Sequence, residues 1–224
     1  LGPGDGSLTK VLLETFKNYS PDLIIFGHSE NINIETLNKF REIKKNVIIS
    51  HWNEDPMMKS VPDSINNLNK IVKFNKIVDH SFVTTDPNVL KDRNKNLKNI
   101  NFFFIPVDKN IETFDVFKMS PSKDLFYAMS HGVNRASLKK GKIDERVIFL
   151  NKLIKKLNNI DYDFYGFNGA EPVWGNNFYK ALTNCSMGLN LSRGNPTKYY
   201  TSNRIASLMG NGQLTFIDKK TKIN

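Results

Sequence analysis

The sequence predicts an α/β protein made of two parallel-sheet units. Three observations carry that prediction. Apolar runs of strand length, such as "DLIIFG" and "NVIIS", are continuous instead of alternating, as in strands buried on both faces of a parallel sheet. Segments with helical apolar spacing separate these runs. The alternation lapses over residues 108–123, "DKNIETFDVFKMSPSK", and then starts again.

The elements follow in order. Leu8, Val11, Leu12, Thr15, Phe16 and Tyr19 share one face of a helix that Pro21 ends. "DLIIFGHS" is the first strand, closed by Gly27, and "NIETLNKFREIKK" is a helix with Asn33 placed as its N-cap. "NVIISHW" is a second buried strand, broken by "NEDP". Residues 65–74 read as helix, "HSFVTTD" as a third strand, "PNVLKDRN" as a short helix opened by Pro87, and "INFFFIPVD" as a fourth strand.

The second half repeats the alternation without repeating the sequence. Strand "DLFYAMS" leads through the loop "HGVNRASLKKGK" to a helix over 143–157, then to strand "YDFYGF". A helix near 176–183, strand "SMGLNLS", a helix opening at "SNRIA" and strand "QLTFI" complete it. The fold expected is therefore two Rossmann-like units facing across a cleft, residues 1–115 and 116–224. The start at Leu1 without Met and the stop just past a strand read as a fragment of a longer protein, with terminal portions of either unit missing.

Composition narrows the class. With 224 residues and 39% hydrophobic content, the chain can bury a sizeable core. No apolar run approaches the roughly 20 residues that span a bilayer. The single cysteine, Cys185, allows no internal disulfide, which suits a cytoplasmic location, with peripheral association to an anionic inner membrane face compatible. The formal charge of +10 comes from lysines spread over nearly every polar segment, not from a basic stripe, so no nucleic-acid partner is expected.

In an open parallel sheet, ligands bind beyond the carboxyl ends of the strands, where helix N-termini attract anions. That directs attention to Ser130, His131, Gly132, Arg135 and Lys140, after the first strand of the second half. Small residues there let backbone amides approach a phosphate, and Arg135 or Lys140 can neutralise it. Gly166, Asn190 and Ser192 lie at later strand ends on the same edge. Ser202 or Asn203 can cap the following helix, with Arg204 in its first turn. An arginine gains nothing from the dipole at that end, so an anion beside it would explain its presence. In the first half, His51, Glu54 and Asp55 follow the second strand, and His28 follows the first.

These residues carry a resemblance. "FYAMSHGVNR", "YDFYG", "VWGNNFYKAL" and "SMGLNLSRGNPTKYYTSNRIASLMGNGQLTFID" resemble, in order, the donor-binding domain of GT-B glycosyltransferases, especially the CgeB-like type. The resemblance spans about residues 124–218 and is weaker over 20–107. It implies transfer of a sugar from a nucleotide-diphosphate sugar to a cell-surface glycan or protein, without a cofactor or bound metal. It implies a donor site that includes Arg204 and Gly212, and it places Ser207 where the family usually has a Glu. It also implies that His51, Asp55 or Glu54 faces the transferring sugar or removes a proton. The alternative is a non-catalytic module that binds a nucleotide sugar or polyanion. "DYD", residues 161–163, matches a metal-binding motif of another glycosyltransferase fold but leads into a strand, so no metal site is read there. Cys185 reads as a small packed hydrophobe.

Overall fold

The structure, a computed structural model, describes residues 5–27, 31–58, 64–129 and 144–223. The chain divides into two compact units, Leu1–Phe104 and Ile105–Asn224. Each is α/β, with a four-stranded parallel sheet, and among the described residues there are seven α-helices in all.

The first unit runs α1 (Asp5–Tyr19), β1 (Leu23–Phe26), α2 (Ile34–Ile43), β2 (Ile48–Asn53), α3 (Ser64–Asn75), β3 (His80–Val83), α4 (Pro87–Arg93) and β4 (Ile100–Phe102). Local chemistry sets the helix starts. The Asn33 side chain accepts from the Thr36 amide at 2.8 Å, and Asp86 accepts from the Asn88 amide at 3.0 Å with Pro87 in the first turn. Asp79 then ties helix to sheet. Its carboxylate accepts from the Ile49 amide at 2.8 Å and from the Arg41 guanidinium at 3.0 Å.

The strands lie in the order β1-β2-β3-β4, all parallel, with Phe26 beside His51 and His51 beside Ser81. Crossovers that always step the same way place their helices on one face of the sheet. Phe16, Phe26, Leu37, Phe40, Ile49 and Phe74 pack there, continued by Met57, Ile71, Val83 and Leu90. The first strand is therefore not buried on both faces, as its composition suggests. Leu23 and Ile25 remain 49% and 64% exposed, because among the described residues the helices pack on the other side of β1.

The second unit runs β5 (Lys123–Ala128), α5 (Glu145–Ile154), β6 (Tyr162–Tyr165), α6 (Gly175–Thr183), β7 (Cys185–Asn190), α7 (Arg204–Gly210) and β8 (Leu214–Ile217). Its order is β6-β5-β7-β8, again all parallel. The chain steps from β5 to β6, returns past β5 to β7, and so creates a switch point between β5 and β7. Helices consequently cover both faces: Leu150 of α5 packs with Leu125, Tyr127 and Leu189, while Leu182 and Leu208 pack with Phe126 and Ala128.

Residues 105–122 are not a free connector. A 3-10 turn at Val116–Lys118 and an asparagine clamp bind the segment to α7. Asn211 accepts from the Phe114 amide through its side chain at 3.0 Å, and its carbonyl accepts from the Val116 amide at 2.7 Å. The same corner ends α7 in a Schellman motif, with Gly212 N–H donating to Met209 and Gln213 N–H to Leu208, each at 3.0 Å. Gly212 takes φ +75°, which favours glycine. Among the described residues, no helix is long and apolar enough to cross a membrane.

Candidate functional site

The carboxyl edge of the second sheet gathers the most unusual side chains. Tyr127 stands near the end of β5, Asn190 ends β7, and Ser202 to Arg204 lead into α7. The Ser202 hydroxyl donates to Asn190 Oδ1 at 2.5 Å, which pins the entry to the helix against the strand. Arg204 Nη1 reaches Asn190 Oδ1, the Leu191 carbonyl and Ser202 Oγ, each at 3.4 Å. These are long, weak bonds for a guanidinium with five donors.

What holds Arg204 is chiefly an aromatic face. Its Cζ lies 4.9 Å from the centroid of the fully buried Tyr127 ring. Among the described residues no carboxylate pairs with Arg204. Burial pulls its guanidinium below its ordinary value, and the charge of Arg146 acts in the same direction against the partial support of Tyr127 and Tyr200. Arginine stays protonated regardless. The result is a half-buried cation whose charge no described carboxylate cancels.

Arg146 makes the contrast. It begins α5, is buried, and is closed by Asp144 through Nε–Oδ1 at 3.0 Å and Nη2–Oδ2 at 2.6 Å. Asp144 also caps the helix, accepting from the Arg146 amide at 2.9 Å. Burial opposes ionisation of Asp144, but the hydrogen bonds and charge of Arg146 outweigh it and hold the carboxyl below its ordinary range. The Tyr127 hydroxyl feels both guanidiniums without meeting hydrogen-bond geometry, and burial pushes its pKa up. Asn190 Nδ2 and Thr201 Oγ1 are likewise buried without a hydrogen-bond partner among the described residues. Beside this edge, a cavity of about 500 Å³ opens on the α5 face, walled mainly by Leu125, Phe149, Leu153, Met187, Leu189 and Phe216.

Of the residues singled out in the sequence, Asn190, Ser202 and Arg204 come together here. Ser192 joins them by lining the adjoining cavity. Gly166 follows β6 on the same edge, at φ +68°, with its amide donated to Glu171. Asn203 holds the N-cap position of α7, but neither it nor Ser202 caps the helix, since Asn203 makes no side-chain cap bond and the Ser202 hydroxyl is committed to Asn190. Gly212 is elsewhere. It lies past the far end of α7, at the sheet's opposite edge, where its glycine serves the helix stop and the close approach of Phe117. Ser130, His131, Gly132, Arg135, Lys140 and His28 lie outside the described residues.

In the first unit, His51 does not end its strand, because β2 continues to Asn53. Its imidazole is 3% exposed and packs 5.0 Å from Phe26 and 5.1 Å from Phe74, on the helix-covered face. A base needs reach to its substrate, and this side chain is part of the core. Glu54 and Asp55 do lie at the carboxyl edge, half-buried in the turn after β2. There the Asp55 amide donates to Asn53 Oδ1 at 3.0 Å, and the Thr84 hydroxyl to the Glu54 carbonyl at 3.1 Å. Asn53, Thr84, Thr85 and Asp86 form a buried polar layer at this edge.

Tyr127, Asp144, Arg146 and the Thr84–Asp86 run escaped the sequence reading. Tyr127 sits inside an apolar strand run and signals core. Asp144 in front of Arg146 is visible as a capping aspartate, but its side-chain pairing is not. Among the described residues no group of His, Cys, Asp and Glu could hold a metal ion. Cys185 is fully buried, and burial pushes its thiol up to about 12.

No protein-family model matches the chain, and no curated protein is similar to it at a significant level. The class of the molecule is thus defined by its fold and this edge: two Rossmann-like α/β units, the second with an arginine at its switch point that no described carboxylate pairs.

Proposed function

We propose that the chain binds a nucleotide-diphosphate sugar at the carboxyl edge of its second unit and serves as a metal-independent glycosyltransferase of the GT-B, CgeB-like kind. One observation carries the reading: Arg204 is held over Tyr127 with no described carboxylate to cancel its charge. In sugar transfer the bond from the anomeric carbon to the diphosphate breaks, and the acceptor hydroxyl forms the new carbon–oxygen bond. Negative charge grows on the departing diphosphate, and a preorganised cation lowers that barrier. Asp55 or Glu54 would take the acceptor proton, His51 being enclosed in the core. The acceptor on this reading is a cell-surface glycan or protein, and the spread of lysines suits transient contact with an anionic membrane surface.

A second reading is a non-catalytic module that binds a nucleotide sugar or polyanion. Two observations favour it: His51 is buried, and Ser207 stands where the resemblance calls for a donor-contacting Glu. Incubation with a panel of nucleotide sugars and acceptors decides between them. Release of nucleotide diphosphate that falls at least tenfold in Arg204→Ala supports transfer. Tight donor binding without release leaves only the binding module, and binding of neither a nucleotide sugar nor a polyanion overturns both.

A further inference from the structure

A guanidinium can be fixed by a carboxylate, which cancels its charge, or by an aromatic face, which orients it and leaves its N–H edge available. Arg146 has the first device in Asp144, whereas Arg204, among the described residues, has only the second. We propose that Tyr127 is a positioning residue for Arg204, its ring serving as the platform that aims the guanidinium while leaving its charge unspent. The inference deepens the reading of the anion site above and rests on it.

Four features support the assignment. Tyr127 is fully buried, and its ring is fixed edge-on by its β6 register partner Phe164, with centroids 6.0 Å apart at 81°. Arg204 lies over the ring, and its only described hydrogen bonds are the three at 3.4 Å, too long to orient it by themselves. Ser202, bonded to Asn190, sets where the arginine's backbone leaves the loop. The neighbouring cation, Arg146, repels Arg204 and does not hold it, and the Asp144 carboxylate is committed to Arg146 by a bidentate pair. The phenol oxygen accepts no well-formed hydrogen bond from either arginine, so the ring face, not the hydroxyl, is the working part.

The test measures affinity for inorganic pyrophosphate by calorimetry on the whole chain. Tyr127→Phe keeps the ring and should stay within about twofold of the parent, while Tyr127→Leu should weaken binding by about tenfold, the size of a desolvated cation–π contact. Phenylalanines carrying one, two and three fluorines at position 127 keep the shape but drain the ring face of electron density. Affinity should fall stepwise along that series, which also carries the test if the leucine variant fails to fold. A flat fluorine series, or equal losses for Phe and Leu, would overturn the proposal. Should the parent bind no pyrophosphate, the anion reading fails, and the Arg204 Nε–Hε resonance decides the stack separately. A ring-shifted signal in the parent and Tyr127→Phe that vanishes in Tyr127→Leu supports it; one that never moves refutes it.

Discussion

Glu112 accepts a hydrogen bond from the Ser207 hydroxyl at 3.0 Å, joining the segment before β5 to the second turn of α7. The same carboxylate accepts from Tyr179 at 3.3 Å and from the Asn211 side-chain amide. Ser207 therefore has a structural partner of its own on the face of α7 that meets residues 105–116.

This clasp has a measurable worth. Glu112→Ala strands three donors at a half-buried corner, and such losses cost about 1–3 kcal/mol in total. The thermal midpoint should fall accordingly, and Asn211→Ala should fall further, since it also frees the Phe114 amide. Ser207→Ala alone should cost less than either. Equal midpoints for all three variants would contradict the clasp.

The Asp144–Arg146 pair predicts a pH dependence. The folded carboxyl lies below the ordinary 3.8, so its contribution is complete above that value and is lost as pH falls through the lower folded one. Asp144→Asn leaves a buried guanidinium unpaired and should cost about 3 kcal/mol near neutrality. The gap between variant and parent should stay constant above about pH 5 and close on acidification. A gap that widens in acid would reverse the sign and refute the assignment.

Gly212→Ala should destabilise the second unit by about 2 kcal/mol, because a left-handed backbone costs an L-residue about 1–2 kcal/mol. The added methyl would also meet the Phe117 ring. Phe117 is largely exposed, so Phe117→Ala should be mild alone yet restore part of the loss in the double variant. Denaturant midpoints of the four proteins check this, and strict additivity would deny the collision.

Cys185 should resist alkylation. With the thiol pushed up to about 12 and fully buried, almost no thiolate is available at mildly alkaline pH. Iodoacetamide should label the chain only after unfolding, and rapid labelling of the native protein would show the thiol to be reachable.

Much of the fold was legible in residue spacing. Asn33, Pro87 and the glycine after α7 mark helix ends by local chemistry, and the continuous apolar runs locate all eight strands. Strand burial was less legible. "LIIF" has the composition of a two-sided strand, but only the order β1-β2-β3-β4 reveals that helices cover one side. Residues 108–123 look like a connector because the partners of Glu112 and Phe114 come from α6, α7 and the end of α7, far along the chain.

The candidate site divides the same way. By itself the sequence determined the alternation of helix and strand and the oddity of an arginine at the start of α7, because propensity, capping and periodicity act over a few residues. Tertiary structure alone decided that His51 is core, that Gly212 serves the opposite edge, and that Arg204 rests on Tyr127 while Arg146 is spoken for by Asp144. Whether a cation is cancelled or left free depends on which side chains the folded sheet brings within a few ångströms, and no spacing along the chain encodes that.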